Sequence, residues 1–479
     1  MSDSTPGMPL VDDAQAGTGL TGKIFTVGTL RYTKAAIFVL FFFLMWNDLI
    51  LMLMEQVQGL LPVIMKNNGL SNTEMSVLGT VLGPLTMWIN PVVSTWSDRT
   101  RTRYGRRRPF LALATPPCAI FLALIPWSPD FFHAAQAVSW IHHLFLAHET
   151  LGFCVFLGVI LLGFNAFNAT LLAIFSYYYW DVVPEPVLSR FYALGKIIST
   201  LATVIWNYFL LRYAGHYMKE LFAGVAVVFA VIYLLTVWRV KEGEYPSPPP
   251  RSATNPIVNF VKAVGGYFTD CFSQRRYLLV FGTLMLYQLG NAAGGFLILF
   301  YHSQMHMKFK TIGHILAIPP MVVAVAAYPI GSLLDRIGAV RSIPASMALW
   351  ALSNLGAFFF LHNKTTMLIF LIAINIFIAT YGIAIGVLTV EVYPKAKLGQ
   401  FCSASALAQS VFCMILGPLA GVMLDKVHNY QYCFLWPAVI QGTSAIGFYL
   451  IYRAWKKGVY KDLPAATVLP ESIAPEATP

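Results

Sequence analysis

Apolar runs of about twenty residues or more alternate along this chain with short polar segments, and the alternation predicts twelve membrane-spanning helices. The first run covers about Lys34 to Ile64 and is unusually rich in polar residues: Asn47, Asp48, Glu55, Gln56 and Gln58. Five more follow at about Met75–Trp96, Phe110–Trp127, Leu151–Trp180, Leu188–Leu211 and Glu220–Trp238. The last six fall at about Tyr277–Tyr301, Ile312–Leu334, Ser342–Leu361, Met367–Val390, Phe401–Leu424 and Cys433–Trp455. A moderately apolar stretch, about Ser128 to Glu149, contains His133, His142, His143 and His148 and predicts an interfacial helix.

The polar segments set the sidedness. WSDRTRTRYGRRRPF, Trp96 to Phe110, places Asp98 and six arginines (Arg99, Arg101, Arg103, Arg106, Arg107, Arg108) between two apolar runs. Such a cluster cannot sit in hydrocarbon, so it is a loop, and its positive charge marks the cytoplasmic side. An even number of spans then puts both termini in the cytoplasm, as the flanking Lys23, Arg31, Lys34, Arg453, Lys456 and Lys457 require. The proline-rich stretch 239–276 divides the chain. The expected organisation is a disordered tail (1–33), a six-helix bundle (34–238), a cytoplasmic linker (239–276), a second bundle (277–455) and a tail (456–479). Composition agrees: 57% of residues are hydrophobic and 11% charged, against about 25% charged in soluble domains. The net charge of +11 follows from the basic inner loops and does not suggest nucleic acid. The cysteines show no metal or redox spacing, and residues 1–33 do not read as a cleavable signal peptide.

The two halves repeat each other. Asp98-Arg99 follows the second span and Asp335-Arg336 the eighth. Asp181, with Pro184 and Arg190, follows the fourth, and Glu391, with Pro394, follows the tenth. Parallel six-span repeats with a substrate site between them mark one class of secondary transporters, and the chain resembles the major facilitator superfamily. The stretch Gly83 to Phe110, with Gly83-Pro84, Pro91, Ser97-Asp98-Arg99, Arg103, Gly105 and Arg106 to Phe110, is similar to plant sucrose transporters and their relatives in the glycoside–pentoside–hexuronide:cation symporter group. The resemblance implies an all-α membrane protein of two six-helix bundles. It also implies sugar or glycoside uptake, usually with a proton or sodium ion, and a monomer in the plasma or inner membrane. It calls for no cofactor beyond the coupling ion.

Several residues are candidates for that chemistry. Asp48 and Glu55 lie seven residues apart, on one helix face. Acids inside a membrane are costly and point to function, and an acid held out of water can load and unload a proton near neutral pH. Glu55 equally reads as a solvated residue at the outer interface. Gln58, Asn90, Asn165, Asn168, Tyr287, Gln288, Asn291, Asn375, Tyr381 and Asn47 suit sugar hydroxyls or, as readily, helix–helix contacts. Trp46, Trp88, Tyr287 and Tyr381 are candidate plates for a sugar ring. Lys196 either snorkels inward or neutralises Asp48 or Glu55. Asp98, Arg99, Arg106, Arg107, Asp335, Arg336, Asp181, Arg190 and Glu391 are either a cytoplasmic gate pairing the halves or local loop braces; the resemblance favours the gate. Two departures from the family bear on coupling. The fourth span has Asn165 near where an aspartate is expected, and the second reads WINPVV without paired aspartates.

Proton symport of a disaccharide-like sugar is therefore the leading expectation. An uncoupled facilitator and a non-transporting receptor on the same fold stand beside it. A membrane enzyme is disfavoured, since no nucleophile–base set or metal motif is evident.

Overall fold

The computed structural model describes residues 24–27, 29–86, 89–137, 149–243, 271–394 and 397–460. Eleven helices among them are long and apolar enough to cross a membrane. In the place of the remaining predicted span stand two helices, Asn72–Thr86 (α3) and Ile89–Arg99 (α4), on either side of residues 87–88, which lie outside the described set. Helices suit these segments because hydrocarbon offers no partner to a backbone amide, so each must bond within its own segment.

The first span is α1, Lys34–Gln58, capped where the Thr33 hydroxyl accepts from the Ala36 amide at 3.2 Å. It breaks at Gly59–Leu60 and resumes as α2, Leu61–Asn67, with Pro62 in its first turn. α5 is Arg108–Leu124, and α6, Ser128–Ala135, begins the predicted interfacial segment. Residues 138–148, with His142, His143 and His148, lie outside the described residues. α7 is Glu149–Val182, α8 Glu185–Ile205 and α9 Met218–Arg239.

In the second half, α10 is Arg275–Gly290. It passes through a 3-10 segment, Ala292–Phe296, into a π-helical turn, Phe300–Gln304. α8 likewise ends in a π-helical turn, Trp206–Leu210. α11 (Phe309–Ile337), α12 (Ala339–Phe360) and α13 (Lys364–Val392) follow. α14 (Leu398–Leu416) and α15 (Pro418–Val427) share one span, and α16 (Tyr432–Lys456) is the last. Large apolar side chains are also exposed, Phe38, Val325 and Tyr328 among them, as a surface bathed in lipid allows.

The tail expected to be disordered is not so throughout. Phe25–Val27 and Leu30–Tyr32 pair as an antiparallel hairpin, with Leu30 and Tyr32 buried. The start of the predicted linker is also ordered: Val240 accepts a hydrogen bond from the Tyr178 hydroxyl at 2.7 Å. Both segments carry the apolar side chains and backbone groups that dock them, a pairing that composition does not reveal.

Hydrogen bonds between the halves cluster on the face opposite the arginine loop. The Ser76 hydroxyl donates to the Gly417 carbonyl at 2.9 Å, and the Tyr430 hydroxyl to Asn72 Oδ1 at 2.9 Å. Tyr208 stacks on His314 there, with ring centroids 4.5 Å apart.

Candidate functional site

A cavity of about 620 Å³ lies between the halves. Helices α1, α3 and α7 line it from one side, and α10, its 3-10 extension and α14 from the other. It gathers four of the predicted residues, Gln58, Asn165, Gln288 and Asn291. Ser76, Thr80 and Ser410 join them, and nothing in the sequence distinguishes these from other small helical hydroxyls. No charged side chain lines the cavity among the described residues.

The amides share one orientation. Gln58 donates to Met54 O at 3.1 Å, Asn165 to Leu161 O at 2.8 Å and Asn291 to Tyr287 O at 3.1 Å, each four residues back in its own helix. The NH2 is thereby used on the helix, and the amide oxygen is left as an acceptor. The Gln288 side chain makes no hydrogen bond to a described residue, so both its donor and its acceptor stand ready for a ligand. Asn375 lines a smaller neighbouring chamber.

Other candidates fall elsewhere. Asn47 is fully buried and donates to Thr236 Oγ1 at 2.7 Å and to Phe43 O at 3.0 Å, joining α1 to α9. Asn168 keeps a buried oxygen without a partner among the described residues and lines neither chamber. Asn90 lies on α4, and its side chain is outside the description. Tyr287 and Tyr381 stack on each other at 4.3 Å and line neither chamber, so neither is a free plate. Trp46 is exposed, packs edge-on to Phe42 and lines neither chamber, and Trp88 lies outside the described residues. The aromatic wall of the main cavity is Phe296. A helical wheel cannot separate an inward ring from one packed on a neighbouring span.

Neither acid of α1 lines the cavity. Asp48 Oδ1 accepts from the Tyr179 hydroxyl of α7 at 2.6 Å. Its Oδ2 lies against Gly195 of α8, where a Cβ would stand only 3.0 Å away. Glu55 has no hydrogen-bond or ion-pair partner among the described residues, and Lys196 pairs with neither acid.

Residues 279–469 match the sequence profile of the Major Facilitator Superfamily. Over most of its length the chain superposes on a D-xylose–proton symporter (TM-score 0.57, 14% identity, covering 86% of this chain and 97% of that one). It also superposes on the nucleoside transporter NupG (0.63, 14%, 86% and 99%). A third match is a bacterial homolog of the human lysosomal transporter Spinster, in an inward-facing, unoccupied conformation (0.63, 13%, 89% and 99%). The chain has the major facilitator fold. It is a multi-pass membrane protein, and the three solved proteins named here are a symporter, a nucleoside transporter and a homolog of a lysosomal transporter.

Within the major facilitator fold, the arginine loop joins the second and third spans. Arg106 pairs with Asp181 at 2.7 Å and with Asp98 at 3.6 Å; Arg107 pairs with Asp98 at 2.7 Å and Asp181 at 3.2 Å. Arg107 is almost wholly buried, donates to Ser97 Oγ at 2.5 Å and lies over the Tyr177 ring. In this conformation these pairs lie within the first half, the local brace of the two readings that these residues allow. The second half is not an echo: Asp335 and Arg336 are exposed and have no partner among the described residues, and Glu391 accepts from Trp455 Nε1 at 3.3 Å. Arg99 and Arg190 are also exposed.

One participant, Glu242, was not anticipated. Its carboxylate accepts from the backbone amides of Arg106, Arg107 and Arg108 at 2.9, 2.9 and 2.7 Å. It thus caps the N-terminus of α5, where amides point outward and the helix dipole favours an anion.

Proposed function

We propose that this protein is a secondary carrier for a neutral sugar or glycoside, alternating between the two faces of the membrane, with the arginine face cytoplasmic. The observation that carries this reading is the uncharged, amide-lined cavity between the halves. A charged substrate brought there would lose its hydration without a counter-ion. A polyol would give hydroxyl donors to the exposed amide oxygens of Gln58, Asn165 and Asn291, and Phe296 would cover an apolar ring face. Similarity to the sucrose-transporter branch over Gly83 to Phe110 supports the same substrate class.

Proton coupling is part of the proposal. Asp48 is an acid inside the first span, and its contact with Tyr179 and Gly195 ties α1 to α7 and α8. A change in its protonation would alter how these helices pack. Its place outside the cavity lining favours one second reading, an uncoupled sugar facilitator.

Uptake of a labelled carbohydrate panel into proteoliposomes, with and without an inward proton gradient, tests both. Gradient-driven accumulation supports symport; saturable equilibration indifferent to the gradient supports the facilitator; no carbohydrate flux under either condition refutes the sugar-carrier reading.

A further inference from the structure

A groove of about 590 Å³ lies between α12 and α16, the ninth and twelfth spans, and shares no lining residue with the cavity between the halves. Its lining is apolar apart from the Tyr449 hydroxyl. Leu352, Val439, Ile446 and Tyr449 are exposed and form the rim; the small residues Ala351, Ala438 and Ala445 are buried and form the floor. In hydrocarbon no water drives such a groove shut, so close packing decides what fills it.

The register of the two helices shows what stands at its end. Consecutive spans alternate in direction, so α12 and α16 run antiparallel, and a Cβ on Gly442 would lie 3.8 Å from the Ala351 Cβ. Pro344 is therefore level with Tyr449, and Arg341 with Tyr452 and its neighbour Arg453. Arg341 precedes Pro344 by three residues and Arg453 follows Tyr449 by four, spacings that keep each arginine on the groove's own stripe. Both arginines are exposed, and neither guanidinium has a partner among the described residues. They stand at the membrane face of the arginine loop. From Pro344 to Leu355 the groove runs about 17 Å at 1.5 Å per residue, close to one leaflet of a hydrocarbon core about 30 Å thick.

We infer that this groove binds an anionic phospholipid of the adjoining leaflet, with one acyl chain along the floor and the phosphate held by Arg341 and Arg453. Basic residues at the end of an apolar cleft between spans suit such a headgroup, and the proposed orientation makes that leaflet the cytoplasmic one, where anionic lipid concentrates. A second copy of this chain fits less well: a two-fold axis along the membrane normal would set the arginines of both copies against each other at one depth.

The test uses the full chain in phosphatidylcholine nanodiscs carrying a trace of phosphatidylglycerol with a photoreactive acyl chain, and maps the label by peptide. Label is expected at Leu352, Val439 and Ile446. It should fall several-fold when phosphatidylglycerol replaces part of the host lipid, while label at the exposed Val227 and Val231 of α9 stays constant. Arg341→Gln combined with Arg453→Gln should lower the groove label by about tenfold or more, the effect of two basic residues at a lipid surface, with the melting temperature unchanged. Groove label indifferent to phosphatidylglycerol and to both arginines would mean bulk lipid only and overturns the inference. Groove label lost whenever two copies share a nanodisc assigns the face to a second chain and overturns it as well.

Discussion

Asp425 of the second half holds Thr73 of the first. Its Oδ2 accepts from the Thr73 amide at 2.8 Å and from the Thr73 hydroxyl at 2.6 Å, and its Oδ1 from the Asn72 amide at 2.9 Å. The carboxylate thereby caps α3 across the interface, where the helix dipole adds to the attraction. Gly421, one turn earlier on α15, brings the backbones together: a Cβ there would lie 2.3 Å from Asn72 O. This contact closes the face opposite the arginines, and a carrier working by alternating access must break it in each cycle.

Asp425→Ala should therefore favour opening on that face. Hydrogen bonds to charged groups contribute about 1.5–3 kcal/mol each, so the population should shift by about tenfold or more. Cys413 lines the main cavity and serves as the probe, in a Cys402→Ser background. Its labelling by a membrane-impermeant thiol reagent applied to that face should accelerate; the same rate as wild type would sink the latch. Gly421→Ala should act in the same direction by steric exclusion.

Asp48→Asn should separate coupling from translocation. Asparagine preserves the size of the side chain and can still accept from Tyr179, but carries no titratable proton. Accumulation against a sugar gradient should be lost while sugar exchange persists. Equal loss of exchange would instead mean that Asp48 supports structure or binds sugar.

Gln288→Ala and Asn47→Ala should have opposite signatures, although both remove a polar group predicted to contact sugar. The Gln288 side chain lines the cavity without a partner among the described residues, so its loss should raise sugar KM by about two- to tenfold, the effect of a hydrogen bond worth about 0.5–1.5 kcal/mol. Asn47 is bonded to Thr236, so its loss should lower thermal stability and leave KM near wild type. A raised KM with normal stability for Asn47→Ala would return it to the binding site.

Gly105→Ala should destabilise the arginine loop. Gly105 has φ +110°, where side chains are strained, and a Cβ would come within 2.8 Å of the Glu242 carboxyl. A strained residue costs about 1–3 kcal/mol, and the cap on α5 would be displaced as well. The melting temperature of the purified protein should fall, whereas Gly282→Ala, with open space at its Cβ, should not lower it. Equal melting temperatures for the two variants would count against the loop's bracing role.

The spans and their order were legible in the chain because the rule behind them is local. A segment in hydrocarbon must be apolar and bond its own backbone, and twenty consecutive residues suffice to show both. Asp98, Asp181 and the arginines were recognisable as a cluster for the same reason: charge at the end of an apolar run has few places to go. The amide face of Gln58, Asn165, Gln288 and Asn291 was legible as a set of polar residues in spans, though not as a single site.

What the sequence by itself determined, then, was membrane crossing, the helical repeat and the identity of the costly polar groups. Only the tertiary structure decided which of those groups meet. Asn47 and Asn165 look alike in their helices, yet one is bonded to Thr236 and the other lines a cavity. Tyr287 and Tyr381 spend their faces on each other. Glu242 reaches the arginine loop from 134 to 136 residues away, and Asp425 reaches α3 from 352 and 353 residues away. Side-chain partners depend on how separate helices rotate and approach, and no local window of sequence carries that information.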